Sequence, residues 1–281
     1  MPETNNTYYI VKEHPLRIIN KCKVHSKGTL MRFLLGLCFL YAFLNWIPEC
    51  LSLYFTTTNI DMIVRLMDVN PADFRGLPGT PVVSTLFSIF FSGVIQLSAA
   101  LNTLTYVRNR KVEYRALTEG SGFYVKTLCL YLIQMGIVAF WSMLFVIPGI
   151  IAAINYSQSY FILADDPSKP VFQVLTESKM MMSGNRLNYA RLILYYLPYL
   201  MLSYVPLLIV TQAAYTMELA MPITFVLSLI AEIVIFAANG YMLLGRSVFY
   251  ELLINKGFAY FRYAGQEAFR ELENQQSGMR N

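Results

Sequence analysis

The chain has 281 residues, of which 56% are hydrophobic and only 14% charged, with a formal net charge of +5. An average soluble domain carries roughly 25% charged residues, so this composition argues against a water-soluble globular protein. The basic residues sit at the ends of apolar runs, where anionic lipid headgroups meet them, which favours a membrane surface over nucleic acid as partner.

Taken in chain order, the apolar residues gather in six long runs. About 18 consecutive apolar residues cross the roughly 30 Å hydrocarbon layer as a helix. Residues 1–30 form a polar and then basic arm with Lys12, Arg17, Lys21, Lys23 and Lys27. Leu16, Ile18, Ile19 and Val24 lie between these charges, and beyond Pro15 the pattern reads as a short basic amphipathic helix on the inner leaflet or as a plain positive flank. The first span is placed at 31–56. It has no small-x-small cleavage site, so it is expected to stay as a signal anchor. The long connection that follows, to Thr80, carries Asp61, Asp68 and Asp73, and Ile60 to Met67 reads as a short surface helix.

The second span, 81–107, ends in Arg108, Arg110, Lys111 and Arg115. The third, 124–147, turns at Ile147-Pro148-Gly149 into a short fourth, 149–164, which stops at Asp165-Asp166-Pro167. A turn this tight requires an antiparallel hairpin. Residues 168–184 read as an interfacial helix, with Val171, Val174, Leu175, Ser178, Met181 and Met182 on one face, Ser168 capping its start and Gly184-Asn185 suiting its end. The fifth span, 190–213, contains Pro198 and Pro206 and is expected to bend. After a turn bearing Glu218, the sixth occupies 222–245, and the tail at 251–281 carries Lys256, Arg262 and Arg270. Lys and Arg alternate between connections in one consistent sense, so residues 31–250 are expected to form an all-α, six-span domain of the cell membrane with both termini cytoplasmic.

The chemical inventory is thin. The only histidines are His14 and His25, and Cys22 with His25 lacks the further ligands of a zinc site. Four cysteines, Cys22, Cys38, Cys50 and Cys129, make no disulfide framework. No phosphate loop, nucleophile elbow or zinc-protease helix is present, so the expectation is a non-enzyme with no cofactor and no metal. The better lead is the set of polar residues inside the spans: Gln96, Gln134, Gln158 and Glu232 near mid-depth, with Asn102, Asn155 and Asn239. One reading is a polar chamber in which Glu232 responds to protons or cations. The other is amide hydrogen bonding between helices, with Glu232 protonated among them. Small residues precede Asn102, Asn155 and Asn239 alike, as in a remnant of a repeated hairpin or in close helix packing.

Ile147-Pro148-Gly149-Ile150-Ile151, Asn155-Tyr156-Ser157, Ile162-Leu163-Ala164-Asp165-Asp166-Pro167, Ser178 and Met182-Ser183-Gly184-Asn185 together resemble a bacterial family of six-span membrane proteins known only as a domain of unknown function. That family is grouped loosely with the membrane domain beside some glycerophosphodiester phosphodiesterases. The resemblance implies envelope or lipid biology and carries over no catalytic residue. Asp166, Ser183 and Arg186 depart from the family pattern. Asp165, Asp166 and Pro167 read as a device that turns a membrane helix into an interfacial one, or as a headgroup or partner site. The expected role is an accessory or scaffold in envelope or lipid homeostasis, or partner of an exporter, with anionic inner-leaflet lipid and a membrane protein as partners. A small permease around Glu232 is the alternative, and a lipid-acting enzyme the third reading.

Overall fold

The computed structural model describes residue 11 and residues 13–67, 81–109, 120–217 and 221–254. Residues 68–80, the basic segment with Arg110, Lys111 and Arg115, the turn at Glu218 and the tail with Lys256, Arg262 and Arg270 lie outside the described residues. Among the described residues the fold is all-α. The helices are α1 (Pro15–His25), α2 (Leu30–Met67), α3 (Pro81–Asn109), α4 (Tyr124–Leu144), α5 (Val146–Asn155), α6 (Ser159–Asp165), α7 (Val171–Met182), α8 (Arg186–Ser203), α9 (Val205–Thr216) and α10 (Met221–Leu253). Six segments are long and apolar enough to cross a membrane: Leu30–Pro48, Thr85–Asn109, Gly120–Leu144, Val146–Asp165, Arg186–Thr216 and Ile223–Leu253. The chain is therefore an all-α, polytopic membrane protein.

Three expectations change in detail. Residues 60–67 are not a separate surface helix, because α2 continues unbroken through Pro48 to Met67. The fourth span is not one helix: it breaks at Tyr156-Ser157-Gln158 between α5 and α6. Ser, Asn and Gln side chains compete for backbone groups there, and Ser159 Oγ donates back to Tyr156 O at 2.9 Å. Ser168 does not cap α7; Pro170 occupies that position, with no side-chain cap. The fifth span is interrupted at Tyr204, between its two prolines. α8 runs through Pro198 and ends at Ser203, and Pro206, which has no N–H, opens α9.

The buried core lies at the end of the bundle that carries Arg32, Arg108, Arg186 and Arg191, called here the basic end. Ile18 and Cys22 of α1, Phe33 and Leu37 of α2, Leu97 to Val107 of α3, Tyr160 to Leu163 of α6 and Leu243 to Leu253 of α10 supply most of it. Phe33 stacks on Tyr106 with centroids 4.4 Å apart. Burial pushes the Cys22 thiol up to about 12, against a hydrogen bond to Tyr196 that lowers it, so Cys22 packs as a small apolar group. α7 buries the face read from its sequence, Val174, Leu175, Ser178, Met181 and Met182, and leaves Gln173, Thr176 and Met180 exposed.

At the opposite, far end the helices separate. Met143 is 90% exposed at the α4–α5 turn, and no residue of α9 is buried. In the third and fifth spans only 11% of the apolar window is buried within the chain, against 44% in the second and fourth. Spans two and four are thus central, and three and five peripheral.

Two glycines set local geometry. Gly184, at φ 85°, takes the left-handed turn that ends α7. Gly93 lets α3 approach α4 backbone to backbone, since a Cβ there would lie 2.6 Å from the Thr127 carbonyl oxygen. Gly136, on the same α4, faces open space. Gly93→Ala is therefore expected to destabilise the protein by about 1–3 kcal/mol. Gly136→Ala should be neutral or stabilising by up to about 1 kcal/mol, from helix propensity alone. Thermal melts of the two variants in one detergent check the contrast.

Candidate functional site

The polar groups of the spans gather in two places. The first is an ionic network at the basic end, joining the second, fourth and sixth spans. Arg108 near the end of α3 donates through Nη1 to Asp165 Oδ1 at 2.7 Å and through Nε to Glu251 Oε1 at 2.7 Å. Tyr250 donates to Asp165 Oδ2 at 3.3 Å and stacks on Phe161 at 5.5 Å. Glu251 is 2% exposed. A carboxylate so buried is tolerated only when paired, and a forked guanidinium serves both acids at once.

Arg246 lies about 7.5 Å along α10 from Glu251, at 1.5 Å per residue. Its Nη2 donates to Ser157 O at 3.0 Å, and the guanidinium sits 5.9 Å from the Phe161 ring centroid. Arg108 is thus shared by two carboxylates, while Arg246, more than a helical turn away, is held by a backbone carbonyl and an aromatic face. Lys126 of α4 adds a donor to Pro167 O at 2.6 Å, fixing the turn beyond α6.

The expected junction at Asp165, Asp166 and Pro167 divides accordingly. Asp165 ends α6 and joins the network. Asp166 faces the other way and accepts from Ser168 N at 3.0 Å and Ser168 Oγ at 2.5 Å. Those two donors, the hydroxyl first, hold its carboxyl below the usual carboxylate range.

The second gathering is the break in the fourth span. Gln134 Nε2 donates to Tyr156 O at 3.3 Å, Ser178 Oγ to Asn155 O at 2.7 Å, and Gln158 Nε2 to Ser157 Oγ at 3.0 Å. Gln134, Asn155 and Gln158, expected in one polar set, do come together here. Glu232 does not join them. It lies roughly 28 Å along α10 from Glu251 and accepts from Trp46 Nε1 of α2 at 2.8 Å. Asn239 donates to Ile235 O of its own helix at 3.0 Å, and Gln96 is exposed. Asn102 is 1% exposed, with neither amide atom partnered among the described residues.

Sequence reasoning missed the network because Arg108 and Arg246 read as flanking charges and Glu251 as the start of a tail. The available signal was the phase of α10. Glu232, Asn239 and Arg246 recur at seven-residue spacing, which keeps them on one helix face. Asn185 was read as a helix end only. It also donates to Met181 O at 3.1 Å and accepts from Val11 N at 2.8 Å, while Asn188 Nδ2 donates to Val11 O at 2.7 Å. The arm is thereby held against the α7–α8 corner.

Arg108→Met strands the buried Glu251 and removes the partner of Asp165, and is expected to cost about 3–5 kcal/mol. Glu251→Leu leaves Arg108 on Asp165 and should cost less, and the double variant should cost clearly less than the sum of the two, because Glu251 is no longer left stranded. A double-mutant cycle of melting temperatures measures the difference.

Among family models, one described as "Protein of unknown function (DUF975)" matches residues 132–256. The match begins in the middle of α4, takes in the α4–α5 turn, the break, α6, α7 and the fifth span, and reaches just past α10. It covers a little under half of the chain and agrees with a likeness to an uncharacterised family. No curated protein and no solved structure matches the chain.

Proposed function

We propose that this chain is a non-enzymatic protein of the bacterial plasma membrane, with both termini in the cytoplasm, acting as an accessory or scaffold in envelope or lipid homeostasis or as partner of an exporter. The observation that carries the reading is the uneven packing of the bundle. The basic end is closed by a core and an ionic network, while the peripheral third and fifth spans leave apolar side chains uncovered by the chain itself. Closed, charge-paired helix ends suit a fixed platform. Uncovered apolar helix faces suit lipid and neighbouring helices. Exposed Arg17, Lys23, Arg32 and Lys179, beside exposed Leu16, Met31 and Phe172, suit anionic headgroups on the cytoplasmic leaflet.

A photo-crosslinking residue placed at Leu208 or Ile209 of α9, both well exposed, should give a discrete protein adduct in native membranes. Adducts with lipid alone at both positions would remove the partner role.

A second reading, passage of a polar solute, is favoured by the alignment of Glu232, Asn239 and Arg246 on one face of α10, with Arg246 reaching the break of the fourth span. On that reading Glu232→Cys and Gln134→Cys are labelled by a membrane-impermeant thiol reagent. Absence of labelling at both positions rejects it.

A further inference from the structure

The break in the fourth span leaves oxygen atoms that the rest of the fold does not use. Its backbone carbonyls are taken. Asn155 O accepts from Ser178, Tyr156 O from Gln134 and Ser159, and Ser157 O from Arg246. The side-chain oxygens are not. Asn155 Oδ1, Gln158 Oε1 and Gln134 Oε1 are buried with no hydrogen-bond partner among the described residues, and so is the hydroxyl of Tyr160. Gln158 is 0% exposed and Asn155 9%. These oxygens belong to residues at or beside the break. Asn155, Gln158 and Tyr160 are neighbours across the break, and Gln134 is fastened there by its own amide nitrogen. Both glutamines spend their N–H groups on the protein and leave the oxygen end free. An unpaired buried acceptor is costly, so an occupant that satisfies several at once is favoured.

We propose that these oxygens bind a dehydrated alkali-metal cation, of sodium or potassium size, at the carbonyl end of α5. The donor set decides the class. It consists of neutral oxygens, which suit a monovalent ion, whereas magnesium and calcium sites draw on carboxylates. The nearby carboxylates are engaged, Asp165 and Glu251 with Arg108 and Asp166 with Ser168. The last carbonyls of α5 present the negative end of the helix dipole, and interrupted membrane helices use such ends to hold cations. Arg246 reaches Ser157 from α10 and takes that carbonyl, so the site rests on the side-chain oxygens.

The test uses the full chain in nanodiscs, melted in sodium, potassium or choline chloride at equal ionic strength. A melting temperature about 2–4 °C higher in sodium or potassium than in choline, saturating with ion concentration, is the expected result. The shift should vanish in Gln158→Met while the melting temperature in choline is kept. Equal melting in all three salts would mean that water alone satisfies the oxygens and would overturn the site, as would a shift that survives in Gln158→Met. Should that variant fail to fold, binding of radiolabelled sodium to the unaltered protein decides. Saturable counts displaced by excess sodium or potassium support the site, and their absence refutes it.

Discussion

One guanidinium, Arg108, is shared by two carboxylates from two other spans, and the rest of the structure is arranged around keeping the three matched. Arg108, Asp165 and Glu251 come from three different spans, so the second, fourth and sixth cannot slide or rotate independently without exposing a charge to an apolar surrounding. The core packs tightly beside these charges, around Tyr106, Phe161, Leu163 and Leu244 to Phe249. Away from it the helices share little buried surface. A pair of charges removed from water gains little net free energy over a good apolar contact. What it fixes is register: only one axial position of three helices leaves every charge with a partner. Arg246 extends the same rule downwards by holding the carbonyl that the interrupted fourth span has freed.

That interruption has its own physical logic. A backbone carbonyl without a helical partner is costly in an apolar medium, so irregular backbone survives only where side chains or an enclosed polar site replace the lost bonds. Here a glutamine, a serine and an arginine from three helices each take one carbonyl of the break. The residues on which the family resemblance rests fall at such joints. Gly149 admits Ser142 at the α4–α5 turn, Ser178 ties α7 to α5, and Asn185 ties the arm to α8. They join helices of the fold to one another.

Much of the architecture was legible in the sequence. Six segments long and apolar enough to cross a membrane were expected and are present, the interfacial helix buries the face that its periodicity indicated, and the fifth span is interrupted between its two prolines. These features depend on local composition and helical phase, which a single chain displays. The fourth span misled because its hydropathy is continuous through Tyr156-Ser157-Gln158, and hydropathy does not register a competition for backbone hydrogen bonds. The site was legible only in part. Gln134, Asn155 and Gln158 meet because they sit at similar depth on adjacent hairpin helices. Glu232 shares their apolar setting but faces α2, and which neighbour a helix face meets is set by tertiary packing. Glu251 escaped notice for the same reason: in sequence it ends a helix, and only the fold brings Arg108 to it.

The clamp on Val11 sets an order of events during synthesis. Its two partners, Asn185 and Asn188, lie 174 and 177 residues further along the chain, and α1 packs against both α8 and the last helix. Val11 therefore cannot be clamped until α8 has been made, and α1 cannot take its full seat until the last helix is in place. Seating of this arm closes the assembly rather than beginning it.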